Sequence, residues 1–309
     1  MTKALSDEKI LITGPAGQIA FPLAEHLSQN NEVWGIARFS NPATRERVEA
    51  IGVKTRVVDL ANPEFGDLPN DFTYVIHMAV FLQPGFDFDM ALRVNAEGTG
   101  LLMGYMENAR AFLVMSTCSI YARAEDQQHE IKETDPLDNS FSPFAPTYAI
   151  SKITEEAVAR FASRQWDLPT TVARMNVSYG PNGGLPAYQF DMILAGLPIQ
   201  IEADRPSMCN PIHQDDINAH IPGLLAAASV PATIVNWGGD ESVDVETYCR
   251  YMGEIAGCNP EFERIDGAIQ HSLINNSRRQ QLSGNCRLGW KEGMRQMIAA
   301  RHPELDLGD

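Results

Sequence analysis

The chain has 309 residues, enough to bury a sizeable core as one large domain or two unequal ones, and its formal net charge is −16 with no basic patch to offset it. That balance argues against a nucleic-acid partner, and no apolar run reaches membrane-spanning length. Met1 to Glu8 contains no apolar signal core, and the widely spaced Cys118, Cys209, Cys249, Cys258 and Cys286 form no C-x-x-C pair, so a reducing cytoplasm is expected and neither a zinc site nor a disulfide framework is indicated.

Lys9 to Thr13 reads as a short apolar strand running into Gly14-Pro15-Ala16-Gly17-Gln18-Ile19-Ala20 and then a helix to about Gln29. Strand, glycine turn and helix form the context of a dinucleotide fingerprint. Gly14 allows the tight turn, and Gly17 lets the backbone approach a pyrophosphate at the helix N-terminus. Gly14, Ala16, Gly17, Gln18 and Ile19 are therefore candidate cofactor contacts. The next strand, Glu32 to Ala37, ends at Arg38, with Arg45 further on. An acid at this strand end bonds a ribose 2′-hydroxyl, whereas an arginine pairs a 2′-phosphate, so NADP is expected over NAD. A third strand, Lys54 to Val58, ends in Asp59-Leu60, placed for the adenine. A fourth, Tyr74 to Ala79, brings Met78, Ala79 and Val80 beside the pyrophosphate, with His77 a packing residue rather than a catalyst.

A helical stretch containing Asn95 reaches Ala109, and the strand Phe112 to Ser116 ends in Thr117-Cys118-Ser119-Ile120-Tyr121. The rhythm of strands and helices predicts an α/β fold, a Rossmann doubly wound parallel sheet. Ligands of such a sheet sit beyond the strand C-terminal ends, and Gly14, Arg38, Asp59, Ala79, Thr117 and Arg174 all fall there. After a Pro-rich loop (Pro136, Pro143, Pro146) a helix runs from Tyr148 to about Arg164. Tyr148 and Lys152 lie one turn apart on one face. A free phenol titrates near pH ~10, and an ammonium nearby lowers that value, which suits acid/base chemistry at a carbonyl.

Beyond Pro181 the alternation loosens: a helix from Ala187 to Ala195, a strand Ile199 to Ile201, His213 at a helix start, a strand Thr233 to Asn236, a helix Asp244 to Ile255 and a last small strand Phe262 to Ile265. Residues 1–176 are expected to form the dinucleotide-binding domain. Residues 177–309 are expected to form mostly a smaller substrate-binding part, with one segment returning to the sheet.

Several stretches in order resemble an extended short-chain dehydrogenase/reductase of the NAD-dependent epimerase/dehydratase kind. They are Thr13-Gly14-x-x-Gly17, Asp59-Leu60, His77-x-Ala79, Asn95-x-x-Gly98-Thr99, Ser116-Thr117 ahead of Tyr121, Tyr148-x-x-x-Lys152, Arg174 before Tyr179-Gly180-Pro181, His213-x-Asp215-Asp216, Asn236-x-Gly238-Gly239 and Leu288-Gly289-Trp290. The resemblance implies that Tyr148 exchanges a proton with the substrate oxygen, Lys152 holds the nicotinamide ribose, Thr117 bonds the same oxygen and Asn95 supports a proton path. It also places Ser116 at the cofactor, and Phe81, Cys118, Ser119, Met175, Asn176 and Tyr188 about the small-molecule substrate. A homodimer through helices around 97–109 and 148–164 is implied by analogy.

Departures narrow the reaction. Cys118-Ser119 stand where sugar-nucleotide dehydratases carry Asp-Glu, so that dehydration is not expected. Cys209 stands where UDP-sugar epimerases carry a diphosphate-contacting arginine, and Asn176 is one residue out of register. Phe81, Phe86, Phe88, Met175, Tyr188 and Met208 give the expected cleft an apolar cast. The reading is hydride transfer at a secondary alcohol or ketone by a dehydrogenase. The alternatives are a sugar-nucleotide (UDP- or dTDP-sugar) epimerase with retained NAD, and a non-catalytic nucleotide sensor.

Overall fold

The computed structural model describes residues 4–138, 145–269 and 272–307; Pro143 of the Pro-rich loop lies outside them. In chain order β1 (Lys9–Thr13), α1 (Ala20–Ser28), β2 (Glu32–Ala37), α2 (Pro42–Ala50), β3 (Lys54–Val57), β4 (Tyr74–His77), α3 (Phe88–Leu92), α4 (Gly98–Tyr105), β5 (Ala111–Thr117), α5 (Tyr148–Gln165) and β6 (Thr170–Met175) build the first part. There follow β7 (Ser178–Gly180), β8 (Gly183–Gly184), α6 (Leu185–Leu194), β9 (Ile199–Glu202), β10 (Met208–Cys209), β11 (Ile212–His213) and α7 (Gln214–Ala226). The chain ends with β12 (Thr233–Trp237), β13 (Val243–Asp244), α8 (Val245–Ile255), β14 (Phe262–Ile265), α9 (Ser277–Ser283) and α10 (Trp290–Arg301).

Seven strands form one parallel sheet in the order β12-β6-β5-β4-β1-β2-β3. This is the doubly wound order, with its switch point between β1 and β4, where a crevice opens beyond the strand ends. Side chains of β1 show why both faces are covered. Ile10 and Ile12 point to the layer of α1 and α7, and Leu11 to the layer of α4 and α5. Every residue of β6 is buried, as a central strand of a two-faced sheet requires. A further core joins Tyr179, Phe190, Ile201, Tyr248, Met252 and Met294 from the elements after β6. Among the described residues no helix is long and apolar enough to cross a membrane.

Several elements differ from the expected bounds. β4 stops at His77 rather than Ala79, because the amides of Met78 and Ala79 leave the ladder and donate to Thr13 Oγ1 at 2.9 and 2.8 Å. The helix expected around Asn95 runs from α3 through a π-helical turn, Arg93–Glu97, into α4, which ends at Tyr105 rather than near Ala109. Such a turn carries one extra residue per loop and often marks a functional position. His213 does start a helix: its Nδ1 accepts from the Asp215 amide at 3.2 Å.

The sheet is tied to α5 by a buried ion pair. Arg174 on β6 donates through Nε and Nη2 to both oxygens of Glu156 on α5, at 2.9 and 2.7 Å. Ser116 on β5 donates to the same carboxylate at 2.6 Å, and Arg174 Nη1 donates to the Tyr121 hydroxyl at 2.8 Å. Removing one partner strands a charge in the interior, which destabilises far more than the pair itself stabilises. Arg174→Met is therefore expected to lower the unfolding free energy by about 3–5 kcal/mol. Urea unfolding checks this, and Arg174→Met with Glu156→Leu should recover most of the loss.

Candidate active site

Gly14 leaves β1 with φ +64°, and a Cβ built on it would lie 3.1 Å from Ala79 Cα. That close approach demands glycine, and it brings the first turn against the end of β4. The Gly17 amide closes back onto the Gly14 carbonyl at 2.9 Å, whereas Gln18 and Ile19 have no backbone acceptor among the described residues. They are the open donors at the start of α1, where an anion is favoured. The adjoining cleft is lined by Gly14, Ile36, Ala37, Arg38, Val58, Asp59, Leu60, Ala79, Val80 and Phe81. Arg38 is exposed at the end of β2, with no partner among the described residues.

At the neighbouring strand end Thr117 terminates β5, and its hydroxyl oxygen accepts the Ser119 amide at 3.1 Å. Thr117 also hydrogen-bonds the phenol of Tyr148, the first residue of α5. Burial pushes the Tyr148 phenol up, while the Lys152 charge and the Thr117 bond pull it down. Lys152 thus pulls the phenol down as expected, but desolvation outweighs the ammonium and the net direction is upward. Lys152 is buried, donates to the Met115 carbonyl at 2.8 Å and meets the carboxylate of Glu155.

Asn95 sits in the π-helical turn and is buried. Its amide accepts from Phe81 N at 2.6 Å and donates to the Ser151 hydroxyl at 2.9 Å, fastening the loop after β4 to α5. His77 packs as expected, but within a hydrogen-bonded chain. Thr13 Oγ1 already accepts two amides, so its own proton goes to His77 Nδ1 at 2.9 Å. The proton of the neutral ring then lies on Nε2, 2.8 Å from Thr99 Oγ1 and 3.6 Å from Glu155. Burial and the nearby Lys152 push His77 down to about 3, so it stays uncharged.

Other expected site residues divide. Gln18 reaches across to Gly183 O at 3.3 Å, and Tyr188 is exposed on α6 with its hydroxyl near Gly183. Asn176 accepts the Asn210 amide at 2.9 Å and donates to Ser272 O at 2.8 Å. Ser116 is turned to Glu156 and Met78 gives its amide to Thr13, so neither of those groups faces the cleft. Cys118 is corrected as a substrate-lining side chain. It is buried, its thiol donates to the Arg174 carbonyl at 3.1 Å, and burial pushes it up to about 12. Met175 likewise belongs to the core. Phe86 and Phe88 are exposed rather than gathered around an apolar cleft. The residue missed in the sequence is Glu155. Its signal was a second acid beside Glu156 on the inward face that also carries Tyr148, Ser151 and Lys152.

This fold and turn define a nicotinamide-dinucleotide-binding class of α/β enzyme. The chain belongs to the NAD dependent epimerase/dehydratase family, which it matches over residues 10–202. It is 23% identical over 300 residues to an uncharacterised UDP-glucose epimerase of Bacillus subtilis, covering 89% of this chain and 91% of that protein. The UDP-glucuronic acid 4-epimerase of Bacillus cereus, solved with UDP-glucuronic acid and NAD, superposes with a TM-score of 0.81 at 19% identity, covering 96% and 99% of the two chains. The UDP-glucose 4-epimerase of Thermotoga maritima, solved with UDP-glucose, gives 0.77 at 18% identity, covering 96% and 100%.

Burial pushes the Glu155 carboxyl up to about 7 from an ordinary 4.5, against the downward pull of Lys152. Between those values the folded chain holds a proton that the unfolded chain has lost, so Glu155 makes stability fall as pH rises from 4.5 to about 7. Unfolding midpoints across that window are expected to show a shallower decline in Glu155→Gln than in the wild type.

Proposed function

We propose that the protein is a sugar-nucleotide epimerase that retains NAD and inverts a secondary-alcohol carbon of a UDP- or dTDP-sugar by oxidation and re-reduction. The observation that carries the reading is the meeting of Thr117, Tyr148 and Lys152 at the sheet edge that also bears the Gly14 turn. The likeness to NAD-containing UDP-sugar epimerases extends over 96% of the chain, which includes the elements after β6. It supports this reading over the dehydrogenase expected from the sequence.

The turn fits a dinucleotide, because Gly14 packs tightly against Ala79 at the end of β4 and the start of α1 offers open amides. Gly14 to Ile19 would hold the pyrophosphate, Asp59 and Leu60 the adenine, and Lys152 the nicotinamide ribose. Bound nicotinamide supplies hydride transfer. Tyr148 takes the proton of the substrate hydroxyl as the carbon is oxidised, and returns it on re-reduction. Thr117 donates to the same oxygen and orients it. Asn95 touches none of these atoms. It holds α5 in register through Ser151. Residues 177–309 would mostly shape the substrate side, with Ser119, Asn176 and Tyr188 nearest the sugar. Leu101 on α4 and Phe161 on α5 are exposed apolar side chains that support a homodimer through those helices.

A second reading, an NADP-dependent dehydrogenase, is favoured by two observations. Arg38 stands exposed where a 2′-phosphate would lie. Cys209 is buried with its thiol toward the Val243 carbonyl and supplies no cation, and Arg123 is already paired with Glu202 and Asp204.

The epimerase is expected to purify with NAD bound and to isomerise UDP-glucose or UDP-glucuronic acid at constant reduced-nicotinamide absorbance. A stoichiometric absorbance change, together with tighter NADP than NAD binding that is lost in Arg38→Ala, decides for the dehydrogenase. On either path Tyr148→Phe should lower turnover at least ~100-fold with cofactor binding near normal. Undiminished turnover in that variant removes the tyrosine from the chemistry.

A further inference from the structure

Glu155 is fully buried, and both of its oxygens lack a hydrogen bond of good geometry despite the Lys152 contact. Lys152 gives one of its three N–H donors to the Met115 carbonyl, and its ammonium pairs with the Glu155 carboxylate. Thr99 spends its proton on the Asn95 carbonyl at 2.6 Å, and His77 Nε2 stays 3.6 Å away. A fully buried carboxylate that meets one ammonium and no well-aligned donor carries a desolvation cost that the pair offsets only in part. Costly buried charge beside reactive groups is characteristic of functional sites. The groups facing it are few: Lys152, Glu156 and Tyr148 on its own helix, His77 from β4 and Thr99 from α4. Glu156 is neutralised by Arg174, and His77 is uncharged.

We infer that Glu155 is a positioning residue for proton transfer: its carboxylate against Lys152 cancels the ammonium's field at Tyr148, so the protonation of Glu155 sets how readily the phenol gives up its proton. The inference rests on the proposed role of Tyr148. With Glu155 charged, the lysine–carboxylate pair is close to neutral and the phenol holds its proton. With Glu155 protonated, the Lys152 charge acts alone and favours the phenolate. Glu155 therefore raises, and Lys152 lowers, the pH at which Tyr148 ionises, and this opposition is present in the surroundings of the phenol. A carboxylate with an ionisation near neutrality lets one proton count for the whole unit.

The test uses the full chain saturated with NAD and labelled at the tyrosine ζ-carbon, with the Tyr148 signal identified from Tyr148→Phe. Glu155→Gln keeps the volume and removes the charge, and is expected to lower the Tyr148 midpoint by about one pH unit. Glu155→Asp keeps the charge and should stay near the wild type. Equal midpoints in wild type and Glu155→Gln overturn the inference, as does an equal fall in Glu155→Asp. The wild-type signal alone must also show an inflection near neutral pH, where Glu155 ionises; its absence overturns the inference even if the glutamine variant does not fold. The same fall is expected in the basic limb of kcat/KM with UDP-glucose. Failure to turn over UDP-glucose counts against the epimerase reading, while the NMR midpoint still decides the role of Glu155.

Discussion

The bidentate contact between Arg174 and Glu156 is the constraint on which the site depends. It joins β6 to α5 in the dry interior, and the same carboxylate holds Ser116 of β5. Because Thr117 follows Ser116, and because Tyr148 and Lys152 sit on the helix that carries Glu156, one fixed carboxylate aligns three groups of the candidate site. The arginine's planar fork makes this alignment directional in a way a lysine could not. Arg174 also reaches Tyr121, whose hydroxyl donates to Asn236 on β12, so the returning strand is tied into the same cluster.

A second chain of polar groups joins β1, β4 and α4 to α5. Thr13 accepts the two amides that end β4 and donates its hydroxyl proton in a hydrogen bond to His77, which faces Thr99 and Glu155. The turn after β1 and the helix that carries Tyr148 and Lys152 are therefore linked through one chain of polar contacts. Two acids at adjacent positions have opposite fates for a geometric reason. Glu156 meets a guanidinium in good geometry, whereas Glu155 meets an ammonium whose donors are shared with a carbonyl. The first is a structural clamp and the second is a poised charge.

Much of the fold was legible because its signals are local. The apolar runs of β1, β2 and β5, the Gly14 turn and the helical spacing of Tyr148 and Lys152 need no distant partner to be recognised. A helix start at His213 and the last strand Phe262–Ile265 were likewise readable from turn chemistry and alternation. Elements that depend on a partner were not. β8, β10 and β13 are two-residue pairings. The π-helical turn at Asn95 is an insertion into a helix whose sequence looks ordinary.

By itself the sequence determined the α/β class and the positions of Gly14, Thr117, Tyr148 and Lys152 at strand and helix ends, because periodicity and turn chemistry act over a few residues. Only the tertiary structure decided which side chains face the cleft and which face the core. Cys118 and Ser116 turned inward because a carbonyl and a carboxylate wait there, and Met78 packs its side chain into the core while its backbone amide meets Thr13. It also decided the net balance at Tyr148, where burial outweighs Lys152. Desolvation depends on everything packed around a group, and that quantity is written nowhere in the neighbouring residues of the chain.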